Sequence, residues 1–164
     1  MVSPAPASPM PAEGWADIGE LRVRYLDWGG AGPPLIALHG LASSSHWYDL
    51  VAPHLCSSYR VISPDQRGHG KTTQAKGGYD WPTLASDVAG LMDRLGMERG
   101  AVLGHSWGGH VAVAMAACHP ERVSRLVMID GGFLDARVSP DATWEGFSHR
   151  LRHRDVSGVR PEFL

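Results

Sequence analysis

Short continuous apolar runs alternate with amphipathic stretches along most of this chain, as strands and helices do when they follow one another in turn. Residues 21–28 (LRVRYLDW) set Leu, Val and Tyr against Arg and close at Gly29-Gly30, which predicts a strand ending in a turn, antiparallel and near an edge. Residues 34–39 (PLIALH) are instead uniformly apolar before Gly40, as expected of a central parallel strand covered on both faces. Residues 45–55 predict a short helix and 59–65 a second buried strand. A helix follows over 80–95, where Leu84, Val88, Leu91, Met92 and Leu95 share one face and Gly96 caps the end. Residues 100–104 (GAVLG) predict a third buried strand, 107–119 a helix stopped by Pro120, and 125–130 (RLVMID) a fourth strand.

Strict alternation of strand and helix implies the α/β class: a mostly parallel, doubly wound sheet with helices on both faces. Ligands of such sheets sit at the carboxyl ends of the strands, here the segments around Gly40, Asp65, Ser106 and Asp130. From Gly131 onward the pattern loosens, with a helix predicted around 143–154, and no internal repeat is visible. Residues 1–14 are mostly Pro, Ala and Ser and predict a disordered tail.

With 164 residues, 43% apolar and 20% charged, one domain with one sizeable core is expected. A net charge of −2 without blocks of like charge offers no footprint for nucleic acid or for an anionic membrane, so a small-molecule substrate is the expected partner. Two cysteines, Cys56 and Cys118, make neither a disulfide framework nor a metal cluster. The amino terminus has no cationic and apolar signal pattern, and no apolar run approaches the roughly 18 residues of a membrane span. A reducing, cytoplasmic setting is the expectation.

Gly104-His105-Ser106-Trp107-Gly108 stands between a predicted buried strand and a predicted helix, the setting of the G-x-S-x-G nucleophile elbow. The turn is too tight for side chains at its flanks, hence the glycines, and it lifts the Ser106 hydroxyl to the helix N-terminus, where developing negative charge is favoured. Ser106 is therefore the candidate nucleophile. After the preceding strand, His39-Gly40-Leu41 would set the Leu41 amide beside the elbow; with the Trp107 amide it makes two donors for a tetrahedral oxyanion. His39, next to the glycine, reads as a structural hydrogen-bonding residue rather than a general base.

These segments, with VISPDQRGHGKT between them, resemble the α/β-hydrolase superfamily of the single-domain, cap-bearing type over about residues 21–130. The resemblance implies a core over 15–134, the start of a cap over 135–164, and a structural role for Asp65 and Arg67 in the D-x-R-G-x-G turn. It also implies an acyl-enzyme route on an ester, amide or related carbonyl compound, with no metal or organic cofactor. Epoxide hydrolases and haloalkane dehalogenases place an aspartate where Ser106 stands, because their intermediate is an ester of a carboxylate.

In this family the triad runs Ser, then Asp or Glu, then His. The strand that would carry the histidine is not in the sequence, and the domain would need on the order of a hundred further residues. Asp130 is the acid in a suitable place; its alternative is a strand-end residue capping the next loop or lining the pocket. His110 and His119 fall on the helix that leaves the elbow, away from the approach of a base. His149 and His153 are four apart, a metal spacing, but arginines at 150, 152 and 154 favour a solvated helix face. Leu126, Val127, Met128 and Ile129 would line an open sheet edge, with self-association as the expected result. Two readings stay open: an incomplete serine hydrolase, or a ligand-binding relative without turnover.

Overall fold

The computed structural model of the chain describes residues 10–131. Six strands, β1 (Ala12–Ile18), β2 (Leu21–Gly29), β3 (Pro34–Leu38), β4 (Arg60–Pro64), β5 (Gly100–His105) and β6 (Val123–Ile129), form one sheet in the order β1-β2-β4-β3-β5-β6. β1, β2 and β4 pair antiparallel; β4, β3, β5 and β6 run parallel. The expected α/β class and mostly parallel, doubly covered sheet are what the chain forms.

The period of two along each central strand explains why these runs are apolar throughout. Leu35 and Ala37 of β3, Val61 of β4 and Ala101 and Leu103 of β5 pack on one face with Tyr48 and Ala52. Ile36, Leu38, Ile62 and Val102 pack on the other, beneath Leu84, Val88, Leu91, Val111 and Met115. Those covering residues come from α2 (Trp81–Arg94) and α3 (Trp107–Cys118). Asp80 caps α2 by accepting the Thr83 amide at 3.0 Å. Gly96, at φ 66°, ends it, with Met97 N–H donating to the Met92 carbonyl at 2.8 Å and Gly96 N–H to Asp93 at 3.1 Å.

Two expectations are corrected. Residues 12–14 do not belong to a disordered tail: they begin β1, which pairs with β2 from Ala12↔Asp27 to Ile18↔Leu21. Residues 45–55 are not one helix but a 3-10 turn (Ser45–Tyr48) followed by α1 (Ala52–Leu55). Pro53 is placed in the first turn of α1, where its missing N–H is tolerated; within a continuous helix it would break the ladder. The predicted helix over 143–154, with His149 and His153, the expected cap region and residues 1–9 lie outside the described residues. No helix among the described residues is long and apolar enough to cross a membrane.

The strand order fixes where a ligand can bind. From β3 the chain passes to β4 on one side, and from β5 to β6 on the other, although β3 and β5 are neighbours. The crevice outside the carboxyl ends of such a pair is the topological switch point of the sheet. Gly40 and Leu41 follow β3 there, and Ser106 follows β5.

Candidate active site

Ser106 joins β5 to α3 with φ 50° and ψ −116°, a backbone conformation that costs an L-residue about 1–3 kcal/mol. The surroundings hold it there. Its N–H donates to the Ile129 carbonyl at 2.9 Å, and its own carbonyl accepts from Gly109 N–H at 2.9 Å and from His110 Nδ1 at 3.1 Å. The glycines at 104 and 108 are required by contact: a Cβ on Gly104 would land on the Gly108 carbonyl oxygen, and one on Gly108 on the Leu38 carbonyl oxygen. Strand β5, helix α3 and strand β3 therefore meet at the elbow with no room for a side chain.

Gly40 closes the other wall. A Cβ there would lie 2.9 Å from His105 Nδ1 and 3.4 Å from Ser106 Cβ, so the chain leading into Leu41 is packed against the elbow. The Leu41 amide donates to no acceptor among the described residues. Trp107, the first residue of α3, is half-buried, and its ring lies 4.6 Å from that of Trp81. The residues read from the sequence as nucleophile and oxyanion donors are thus gathered at one point of the fold. Ala42, Ser106 and Asp130 are the three non-glycine residues with positive φ among the described residues, and all three follow the carboxyl ends of parallel strands around this crevice.

Asp130 is exposed and follows β6 at φ 49°. The next residue passes directly over the elbow: a Cβ on Gly131 would land on the Ser106 carbonyl oxygen and lie 2.8 Å from Ser106 Cα. Asp130 is therefore near the nucleophile in space, with no hydrogen bond of its side chain among the described residues.

The histidines have other commitments. His39 is fully buried; Gln66 N–H donates to its Nε2 at 3.1 Å, which leaves the proton on Nδ1 to donate to the Gly40 carbonyl at 2.7 Å. Burial pulls its pKa down to about 4, against the opposing effect of the Gly40 carbonyl, so the ring is neutral at pH 7. His39 is structural, as the sequence suggests. His105 stacks on Trp47, with ring centroids 4.5 Å apart. His110 bonds the Ser106 carbonyl and stacks on Trp81, and His119 lies at the far end of α3. Among the described residues, no histidine hydrogen-bonds the Ser106 hydroxyl. Arg67 is taken up by Asp87, donating at 2.7 and 2.9 Å, and by the Gly77 carbonyl at 3.0 Å.

Sequence reasoning passed over the Trp47 stack and the side chain of Gln66. The first had no signal beyond an aromatic in a helix-like stretch, and the second depends on which loop the turn after β4 reaches.

The family model for the alpha/beta hydrolase fold matches residues 33–156. A soluble epoxide hydrolase of Corynebacterium sp. (strain C12) is 38% identical over 115 residues, 70% of this chain and 40% of that protein. A serine hydrolase-like protein of Danio rerio is 32% identical over 150 residues, 88% of this chain and 45% of that one. The crystal structure of wild-type Cfl2 from Burkholderia cenocepacia matches with a TM-score of 0.75 at 28% identity, over 91% of this chain and 53% of that chain. The chain thus spans less than half the length of these curated relatives.

Proposed function

The chain belongs to the α/β-hydrolase fold family, and from that membership we propose that it carries the nucleophile and oxyanion half of a serine hydrolase acting on a small ester, amide or related carbonyl compound. The observation that carries this reading is the strained backbone of Ser106, held between two glycines whose neighbours admit no Cβ. A serine in an ordinary strand-to-helix turn has no need of φ 50°.

In this mechanism Ser106 Oγ attacks the substrate carbonyl carbon and forms a tetrahedral intermediate. The Leu41 and Trp107 amides stabilise its oxyanion, each donor worth about 10²- to 10³-fold in rate. Collapse expels the leaving group and leaves an acyl-serine, which water then hydrolyses. Among the described residues no histidine is placed to take the Ser106 proton, so the base comes from residues outside them or from a second chain, and Asp130 orients it. Side chains and water are sufficient for this route, so no cofactor is invoked. Serine in place of a carboxylate nucleophile separates the proposed chemistry from that named for the Corynebacterium relative, because ring-opening of an epoxide by a carboxylate leaves an alkyl ester on the protein.

One observation favours a second reading, a ligand-binding protein without turnover: no histidine among the described residues reaches the Ser106 hydroxyl. Covalent labelling by a fluorophosphonate, with Ser106→Ala as control, separates the two. A Ser106 adduct supports the hydrolase, whereas a chain labelled neither alone nor with a base-supplying chain, alongside a labelled full-length relative, supports the binding protein.

A further inference from the structure

We propose that the Asp65-Gln66 pair at the end of β4 is a clamp that positions the oxyanion loop, holding residues 40–44 from both ends and so fixing where the Leu41 amide points. The role assigned to Leu41 rests on the serine-hydrolase reading above; the clamp itself is a matter of geometry.

Gln66 holds the entering end. Its backbone N–H donates to His39 Nε2 at 3.1 Å and its side-chain amide donates to the His39 carbonyl at 2.6 Å, while His39 Nδ1 donates onward to the Gly40 carbonyl. Two hydrogen bonds thus pass from the turn to His39, and a third from His39 to Gly40, the two residues before Leu41. Asp65 holds the leaving end. Its Oδ1 accepts the Ser45 amide at 2.7 Å, and Arg24, itself buried, donates through Nη1 both to the Ser45 hydroxyl and to Asp65 Oδ2 at 3.4 Å. Asp65 Oδ2 also accepts the Lys71 amide at 2.9 Å, which ties the carboxylate into its own turn. Between these two anchors lie residues 41–44, of which Ala42 is left-handed at φ 55°.

Gln66 shows that this arrangement is not merely good packing. The side chain is buried, and its Oε1 has no hydrogen-bond partner among the described residues. An unsatisfied buried carbonyl lowers stability, and an apolar residue of the same length would remove it only by taking away the donor that the His39 carbonyl accepts. What the amide contributes is the donor to His39. Among the described residues Arg24 and the Asp65 carboxylate bond Ser45 and not Ser106. They act through the loop and are positioning residues.

The test compares the full chain with Gln66→Met, which keeps the volume and removes the donor, and with Asp65→Asn. Hydrogen exchange of the segment 39–46 is followed by mass spectrometry, together with the rate of fluorophosphonate labelling. In Gln66→Met the clamp predicts exchange in that segment faster by about tenfold, unchanged exchange in α2 and β5, and a melting temperature within a few degrees of the parent's, since the relieved Gln66 carbonyl offsets the orphaned His39 carbonyl. It also predicts a maximal labelling rate lower by roughly tenfold or more, at an unchanged half-saturating concentration. Unchanged exchange in 39–46, exchange raised throughout the sheet, or local loosening without slower labelling would each overturn it. If the parent chain is labelled neither alone nor after mixing with a chain that supplies a base, the serine-hydrolase reading falls, and the exchange measurement decides the clamp alone; if the parent is labelled and Gln66→Met behaves like it, the clamp falls and the hydrolase reading stands.

Discussion

The Ser106 amide donates to the Ile129 carbonyl at 2.9 Å, so the strained elbow is tied to the last residue of β6, a strand at one edge of the sheet among the described residues. The stability of the elbow and the state of that edge are consequently linked, and both can be tested without knowing a substrate.

Relief of the strain is the first consequence. At φ 50°, ψ −116° a glycine is unstrained where serine and alanine are not. Ser106→Gly should be more stable than Ser106→Ala by about 1 kcal/mol, and both should be inert toward a fluorophosphonate. Urea unfolding of the two variants measures the difference; equal midpoints would mean that the elbow stores no strain.

The elbow glycines carry the opposite expectation. Gly108→Ala drives a methyl group onto the Leu38 carbonyl oxygen, and backbone cannot swing aside as a side chain can. Destabilisation of about 2–4 kcal/mol is predicted from thermal or urea unfolding. Gly77→Ala, where a Cβ meets nothing within 4 Å, is the control and should stay within about 0.5 kcal/mol of the parent.

Stability should also fall in mildly acidic solution, and burial sets the sign. His39 titrates near 4 in the fold, below the 6.5 of a free histidine, so the unfolded chain takes up this proton first. The stability it contributes is complete above about pH 6.5, is lost as pH falls toward about 4, and declines no further below that. His69, lowered mainly by its burial, adds to the same slope. In Asp65 the effect of burial is outweighed by the Lys71 and Ser45 amides, the Ser45 hydroxyl and Arg24, and its pKa is lowered. Its contribution is therefore kept until the pH drops below about 3.9, outside this window. Between pH 7.5 and 4.5, His39→Gln should lose about 2–3 kcal/mol less stability than the parent in urea unfolding. Equal losses would mean that His39 is not held neutral by the fold.

Strand β6 pairs with β5 alone among the described residues, and Leu126, Val127 and Ile129 are 37%, 46% and 47% exposed. An open apolar edge of this kind recruits another strand. Sedimentation of the 164-residue chain should show concentration-dependent association, and Val127→Lys should reduce it. A monodisperse parent at high concentration would speak against pairing through this edge.

Most of the fold was legible because the central strands must be apolar on both faces, and runs such as residues 34–38 admit no other element when a glycine closes them. β1 was not legible: AEGWADI buries only Ala16 fully, and the strand depends on pairing with β2 and on Arg22 lying 4.8 Å over the Trp15 ring. The break between the 3-10 turn and α1 lay in a single proline. In the site, the elbow could be read because sterics write glycine into the sequence on either side of Ser106. The clamp could not, since Gln66 and His39 meet only through the register of β3 against β4.

The central claim is that Ser106 is an assembled nucleophile, and mass spectrometry after fluorophosphonate treatment tests it most directly. Each sample, the 164-residue chain and Ser106→Ala, is treated alone and after mixing with the carboxyl-terminal half of a full-length relative. The prediction is a single adduct on Ser106, absent from Ser106→Ala and strongest in the mixture, where that half supplies a base. No adduct on the unsubstituted chain, alone or mixed, under conditions that label a full-length relative, would contradict the claim and leave a binding protein built on a hydrolase sheet.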